Sequence, residues 1–452
     1  LPDRGGLDPE VGVDLEYFLD AKGFAKETCH MPGPGPTWIS GLVAIPDRSG
    51  SDAERLFASY VKVRNVLEVY ERGLVEFDDR EKSFKKVVEF PKEAPVVPHG
   101  HPLLVQRADK TYVYFANPFP TVRVPADPEA LKDPARYEAF TCLESGSRLA
   151  EARIDRRPDG RVHYSWKSNT AALSMGDQRK LVSGGKLKSN EVLLDLQDVE
   201  TGKPVFAHGG SVSWNPYRNR WVGIILESFG TSALGEVWYA EADTPVGPWV
   251  YARKIVTHNK YSFYNPKQHP MLAKKGGQII FFEGTFSHTF SGNPEPTPWY
   301  DYNQMMYKLD LAVSRLILPV PIYRRSDAPP YLSSAAEVAD RARWPIAFLA
   351  LDRPLPGTVA VVVEAQDGTS GQRFRACAAS ETGDSRVVFY ALPADRQDPP
   401  ATSTALFEYV ADNARPPVYT VDGSWSAPDY QRSPKPVCRV WRNSWTGVSV
   451  AH

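Results

Sequence analysis

Cysteine is scarce in this chain: four residues in 452, Cys29, Cys142, Cys377 and Cys438, with no CxxC or CxxCH spacing. That excludes zinc ribbons and c-type haem, and it is too few for a disulfide scaffold. Two cysteines fall in each half, which permits the bridges Cys29–Cys142 and Cys377–Cys438 or, equally, four buried free thiols. Net charge is also nearly absent, at −1 from 53 basic and 54 acidic residues, and no long Lys or Arg run occurs. This argues against a nucleic-acid partner or a polybasic membrane surface. No apolar stretch approaches the roughly 18 residues that cross a bilayer, so no membrane span is expected. Helical periodicity is sparse, with "DPEALKDPARYEAF" and "LSSAAEVADRA" as the best short exceptions.

What the chain has instead is 40 prolines, 32 glycines, 21 tyrosines and 11 tryptophans, a composition of many turns and aromatic strands. One unit recurs: a strand, a polar turn and a more apolar strand. It reads "GLVAIPDRSGSDAERLFASYVKV" from Gly41, "PLLVQRADKTYVYFANP" from Pro102, "ARIDRRPDGRVHYSWKS" from Ala152, "SVSWNPYRNRWVGIILE" from Ser211 and "PMLAKKGGQIIFFEGTF" from Pro270. The repeat of about 50–60 residues is in the range of propeller blades. A third strand often follows, as in "EVWYAEAD" or "QMMYKLDL". The expectation is an all-β protein: a five-bladed β-propeller over residues 1–321, then a small β-rich module over 322–452. In that tail, "VPIYRRSDAPPYLSSAAEV" is weakly echoed by "TALFEYVADNARPPVYTVD".

In a propeller, the starts of the inner strands and the loops beyond them converge on one pocket. Those starts read "PGPTWISG" (Trp38), "VPHGHP" (His99, His101), "FAHGGSVSW" (His208) and "YNPKQHPM" (Tyr264, Asn265, His269), and they hold four of the nine histidines. His101, His208 and His269 could ligate a divalent metal or polarise a substrate, although no HxxxH spacing supports a ligand set. The alternative is that each bonds backbone across a blade junction. Glu227 and Glu283 both follow apolar strands, one blade apart, and Glu236 opens the strand after Glu227. Two facing acids can divide roles, the less solvated one keeping its proton, which is the arrangement of glycoside hydrolysis. Asp301 is either a third acid or a loop hydrogen-bonder, and Asp47 belongs to a turn. Trp299, Tyr300 and Tyr302 offer flat faces for sugar rings, and Trp38, Arg64, Trp166 and Lys167 would complete the walls. Each aromatic could equally be core.

The segments "SVSWNPYRNRWV", "GEVWYAEADTPVGPW", "YNPKQHPML" and "IIFFEGTFS" with "DYNQMMYKLDL" resemble bacterial five-bladed propeller proteins of the glycoside hydrolase type. They look most like an uncharacterised family related to the endo-D-arabinanases. The likeness covers residues 205–311 well and the earlier blades loosely. It implies a secreted or periplasmic enzyme that cleaves a polysaccharide or oligosaccharide with acidic side chains and no organic cofactor. The Asp usual at the first blade start has no match here, where "PTWISG" stands instead. A metal-dependent lyase or hydrolase using the histidines, and a non-catalytic glycan-binding protein, are the competing readings. The chain opens on Leu1 rather than Met, as after removal of a signal peptide or at an expression boundary.

Overall fold

The computed structural model describes residues 19–47, 53–65, 67–298, 300–324, 332–334, 345–364, 373–411 and 415–451. The chain is nearly all β. The first sheet is a meander of β1 (Thr37–Pro46), β2 (Glu54–Arg64), β3 (Glu68–Asp78) and β4 (Ser83–Glu89). The second holds β5 (His101–Arg107), β6 (Lys110–Ala116), β7 (Val122–Pro125), β8 (Glu138–Thr141) and β9 (Val162–Ser168) in that order. In the third, β11 (Ala207–Asn215), β12 (Arg220–Glu227), β13 (Val237–Ala242) and β14 (Trp249–Val256) form a meander, and β10 (Leu194–Asp198) adds to β14 in parallel. The fourth has three strands, β15 (Ser262–Gln268), β16 (Ile279–Ser287) and β17 (Tyr302–Asp310).

The first strands β1, β5, β11 and β15 adjoin in succession, as the inner strands of propeller blades do. Successive sheets share cores: Val43, Phe57, Val113 and Phe115 between the first and second; Tyr114, Tyr164, Ile225 and Trp249 between the second and third; Val222, Ile224, Phe263 and Phe282 between the third and fourth. Among the described residues between Thr37 and Asp310 there are four sheets, where five blades were expected. The unit at Ala152 builds no sheet of its own. Its first half, "ARIDRRPDG", carries charges on both faces and makes only isolated bridges, Leu143 with Ile154 and Arg156 with Val162. Its second half becomes β9 and completes the second sheet.

The remaining strands are β18 (Val320–Arg324), β19 (Leu332–Ser334), β20 (Ile346–Ala350), β21 (Val359–Glu364), β22 (Arg373–Cys377), β23 (Val387–Ala391), β24 (Ser403–Ala411), β25 (Val418–Thr420), β26 (Tyr430–Arg432), β27 (Cys438–Trp441) and β28 (Val448–Ala451). They form a sheet in the order β19-β18-β20-β27-β24-β25, with β26 also on β24, and a second sheet β22-β21-β23. Strand β18 spans the expected boundary at residues 321 and 322. Leu349, Leu351, Leu392 and Trp441 enter the core of the third and fourth sheets, and β28 returns to pair in parallel with β9. Cys29, Cys142, Cys377 and Cys438 are all free, so neither bridge forms. Cys377 packs on Ala360 and Val362, whereas Cys438 packs among Phe348 and Leu406 in a different cluster.

Of the two expected helical stretches, the first gives the short helix Pro128–Lys132, N-capped by Asp127, and a 3-10 turn at Pro134–Arg136. "LSSAAEVADRA" lies largely outside the described residues. A longer helix, Met175–Ser183, not among the expected stretches, opens on a Ser174/Asp177 capping box. Among the described residues no helix is long and apolar enough to cross a membrane.

Candidate active site

Strand direction places Thr37, the end of β2, His101, Ala207, Glu227, Ser262, Ser287 and Tyr302 at one end of the four sheets. The backbone approaches closely there. Gly100 has φ +90°, and a Cβ on it would lie 2.1 Å from the Ala116 carbonyl oxygen, so only glycine fits.

The chemistry gathers on one face of the fourth sheet. Phe263, Ile280 and Phe282 on its other face are buried against the third sheet. The polar face is set by a bulge: Tyr264 pairs with Thr285 and Lys267 with Glu283, so Asn265 and Pro266 together oppose Gly284. Asn265 takes a left-handed φ of +56° to make it. A regular strand would put Tyr264 and Lys267, three residues apart, on opposite faces. The bulge turns both to the face of Glu283, with Gln304 and Tyr302 beside them on β17.

Glu283 is not at a strand end, because β16 continues to Ser287. Its Oε1 lies 2.9 Å from His269 Nε2, an ion-pair distance off the line of a straight hydrogen bond. The His269 imidazole, with Gln304 and Lys267, holds the Glu283 carboxyl below the ordinary carboxylate range against the opposing effect of burial. Burial pushes the Lys267 ammonium down, and Glu283 partly restores it. His101 faces this group from β5: burial first, then the charges of Lys267 and His269, lower it to about 4. His99 and His208 retain solvent-accessible surface although protein atoms crowd them, and burial lowers both. The Tyr264 ring meets Tyr302 edge-on at 6.2 Å between centroids, and burial raises the Tyr264 hydroxyl.

Glu227 sits elsewhere. It shares the face of Ile225 and Trp238, which pack toward the second sheet, so the core between the third and fourth sheets separates it from Glu283. Its charged neighbours are Lys254, Glu236 and Asp198. Trp238 Nε1 donates to it at 2.8 Å, and burial raises its carboxyl. Glu236 is fully buried, accepting from the Ser232 amide at 3.0 Å and the Thr257 hydroxyl at 3.0 Å. A Cβ on Gly230 would lie 2.7 Å from an oxygen of each acid, so this turn folds directly over the pair. Asp301 braces a loop: it accepts from the His288 amide at 2.8 Å and the Thr289 hydroxyl at 2.6 Å, and the Thr289 bond leads the lowering of its pKa.

Two expected wall residues lie far out on the second sheet. Trp166, on β9, is wedged edge-on against Tyr114 at 5.0 Å with the Arg123 guanidinium 4.2 Å above its ring. Lys167 is buried, donating to the Leu143 carbonyl and to Asp155, each at 2.7 Å. Arg64 is taken by Glu68 at 2.7 Å, and Trp38 stands exposed at the start of β1. Trp299 lies outside the described residues. Among the described residues no group of three or more His, Cys, Asp or Glu is placed to hold a metal ion, so His101, His208 and His269 form no ligand set. Lys267 and Gln304 were missed in the sequence. The signal for Lys267 was the Asn-Pro pair inside a strand, which marks a bulge.

No family model and no curated protein matches the chain. Among solved structures, a family 43 glycoside hydrolase, YxiA of Bacillus licheniformis, aligns at 11% identity over 84% of this chain and 80% of its own, with a TM-score of 0.28. An endo-1,5-alpha-L-arabinanase of Thermotoga petrophila aligns at 10% identity over 90% and 82%, TM-score 0.28. A hydrazine synthase of Kuenenia stuttgartiensis aligns at 10% over 66% and 65%, TM-score 0.23. Alignments this loose assign neither fold nor activity to the chain.

Proposed function

We propose that the protein is a glycoside hydrolase that takes its glycan on the polar face of the fourth sheet. The observation carrying this reading is the bulge at Asn265, which puts the Tyr264–Tyr302 pair, Lys267 and His269 on the face of Glu283. The ring pair offers apolar faces with hydroxyl tips, suited to a sugar. Glu283, held ionised, takes a proton from the attacking water. His269, when protonated, gives its proton to the leaving glycosidic oxygen, and exchange with solvent resets the two groups. Lys267 steadies the developing negative charge on the departing oxygen. Glu227 and Glu236, beneath the Gly230 turn, and Asp301, in its loop, take structural parts. Secretion or periplasmic residence belongs to this reading, since a polysaccharide substrate lies outside the cell.

The test is release of reducing ends from soluble arabinan, xylan, galactan and polygalacturonate by the wild type and by Glu283→Gln. Product from the wild type and none from the variant is expected. One specific observation favours a second reading: among the described residues no second proton-holding carboxylate shares the face with Glu283. Retention on a glycan with no product after long incubation would establish a binding protein instead.

A further inference from the structure

Two loops at the same end of the sheets each present a phenylalanine to solvent from a strained backbone. Phe229, in the β12–β13 loop, is 86% exposed at φ +56°, and Phe290, in the β16–β17 loop, is 60% exposed at φ +58°. Left-handed backbone is uncommon for so bulky a residue and persists where the surroundings enforce it. Carboxylates hold both loops, and the Phe229 amide donates to the Ala233 carbonyl at 2.8 Å. Glu236 holds the first loop through Ser232, and Asp301 holds the second through the His288 and Thr289 amides and the Thr289 hydroxyl.

The loops flank one shared segment, residues 258–263. The Phe263 amide donates to the Leu234 carbonyl at 2.6 Å. His258 Nδ1 donates to the Gly235 carbonyl at 2.5 Å, which leaves Nε2 to accept from the Tyr307 hydroxyl at 3.0 Å. From the other side the Gly292 amide reaches the Lys260 carbonyl at 3.2 Å, and Asn293 Nδ2 reaches the Asn259 carbonyl at 3.2 Å. Asn259 and Lys260 are themselves left-handed, at φ +50° and +74°. Exposed Tyr300 and Tyr302 continue this rim onto the polar face of the fourth sheet.

We propose that Phe229 and Phe290 form an aromatic platform that binds a glycan chain beyond the Tyr264–Tyr302 pair, so that the substrate is a polymer and not a short oligosaccharide. This rests on the reading of the fourth-sheet face as a sugar site. Here two exposed rings on adjoining loops alternate with the polar groups of Asn259, Lys260 and Asn293, a pattern that suits pyranose or furanose rings.

The experiment uses the full chain carrying Glu283→Gln, so that cleavage does not consume the probe, in affinity electrophoresis through gels of arabinan, xylan, galactan or polygalacturonate. The matching trisaccharides are measured by calorimetry. Adding Phe229→Ala and Phe290→Ala together should weaken retention by the polymer about tenfold or more, at roughly three- to tenfold per ring. Both rings are exposed, so folding is not at risk. The same pair should remove the gain in affinity from trisaccharide to polymer. Phe24→Ala, 70% exposed and tied by its neighbour Lys26 to the Glu81 carbonyl at the β3–β4 turn, should leave retention unchanged. The proposal is overturned if the double variant is retained like its parent, if Phe24→Ala weakens retention equally, or if the parent is retained by none of the four polymers. It is also overturned if Phe229 and Phe290 instead bind the parent to phosphatidylcholine vesicles. Cleavage by Glu283→Gln would refute the catalytic assignment and leave the platform standing on its retention data.

Discussion

Glu283→Gln is the perturbation that separates chemistry from packing. Glutamine keeps the shape and the chance of a bond with Gln304, and it removes one negative charge beside His269 and Lys267. A positioned general base is worth about 10²–10⁴ in rate, or about 3–5 kcal/mol of activation free energy. The folding effect should be far smaller. The His269 and Glu283 side chains are 17% and 29% exposed, and partly solvated pairs contribute about 0–1 kcal/mol. Turnover should therefore fall at least about a hundredfold while the melting temperature moves by no more than about 2 °C. The pH dependence follows from the direction of the shift. A carboxyl held below its unfolded value contributes stability above that value and loses it as pH falls through the folded one. The wild type should keep its base form, and its activity, below the ordinary carboxylate range. Removing the leading cause with His269→Asn should raise the Glu283 titration, read by ¹³C detection of the carboxyl. Turnover of Glu283→Gln within tenfold of wild type, or an unmoved Glu283 titration in His269→Asn, would refute the reasoning.

Three further outcomes follow from other parts of the fold. Arg218 and Glu241 form a bidentate pair at 2.6 and 3.1 Å with both side chains almost wholly buried; Arg218→Met should cost about 1.5–3 kcal/mol in urea unfolding by removing the bidentate partner, since Arg220 at 3.8 Å and the Tyr239 hydroxyl stay on the glutamate, and a loss under about 1 kcal/mol would contradict that burial. His101, lowered to about 4, should stay neutral from about pH 5 upward, so its ring resonances should be flat there in NMR titration; a midpoint near 6.5 would place it in open water. Removing residues 448–452 takes β28 and the buried Val448 from β9, which should lower stability by about 2–4 kcal/mol in thermal unfolding; an unchanged melting curve would show that the C-terminal return strand contributes nothing.

Much of the fold was legible because strand periodicity and turn chemistry are local. The hairpins at Gly41, Pro102 and Ser211 form where their patterns place them, as β1–β2, β5–β6 and β11–β12. The unit at Pro270 was displaced: its first half folds into 3-10 turns, and the inner strand is Ser262–Gln268 instead. "YNPKQHPM" was expected at the start of that inner strand; it forms the strand's later part, with Pro266 inside the bulge. The likeness of Glu227 and Glu283 was real at the level of strand order, each lying on the second strand of its sheet. Trp166 and Lys167 matched a binding-site composition, but such residues serve buried sheets equally well.

The sequence by itself determined that this is a β-rich chain with little net charge and no apolar span, and that histidines, acids and aromatics cluster at strand starts and strand ends. Those properties are carried by residue type and short-range spacing. Only the tertiary structure decided which of these groups meet. Side chains alternate across a strand, so one inserted residue at Asn265 brings Lys267 and His269 to Glu283. The same alternation sends Glu227 toward the second sheet. That parity depends on pairing register and sheet packing, which are set by partners far away in the chain.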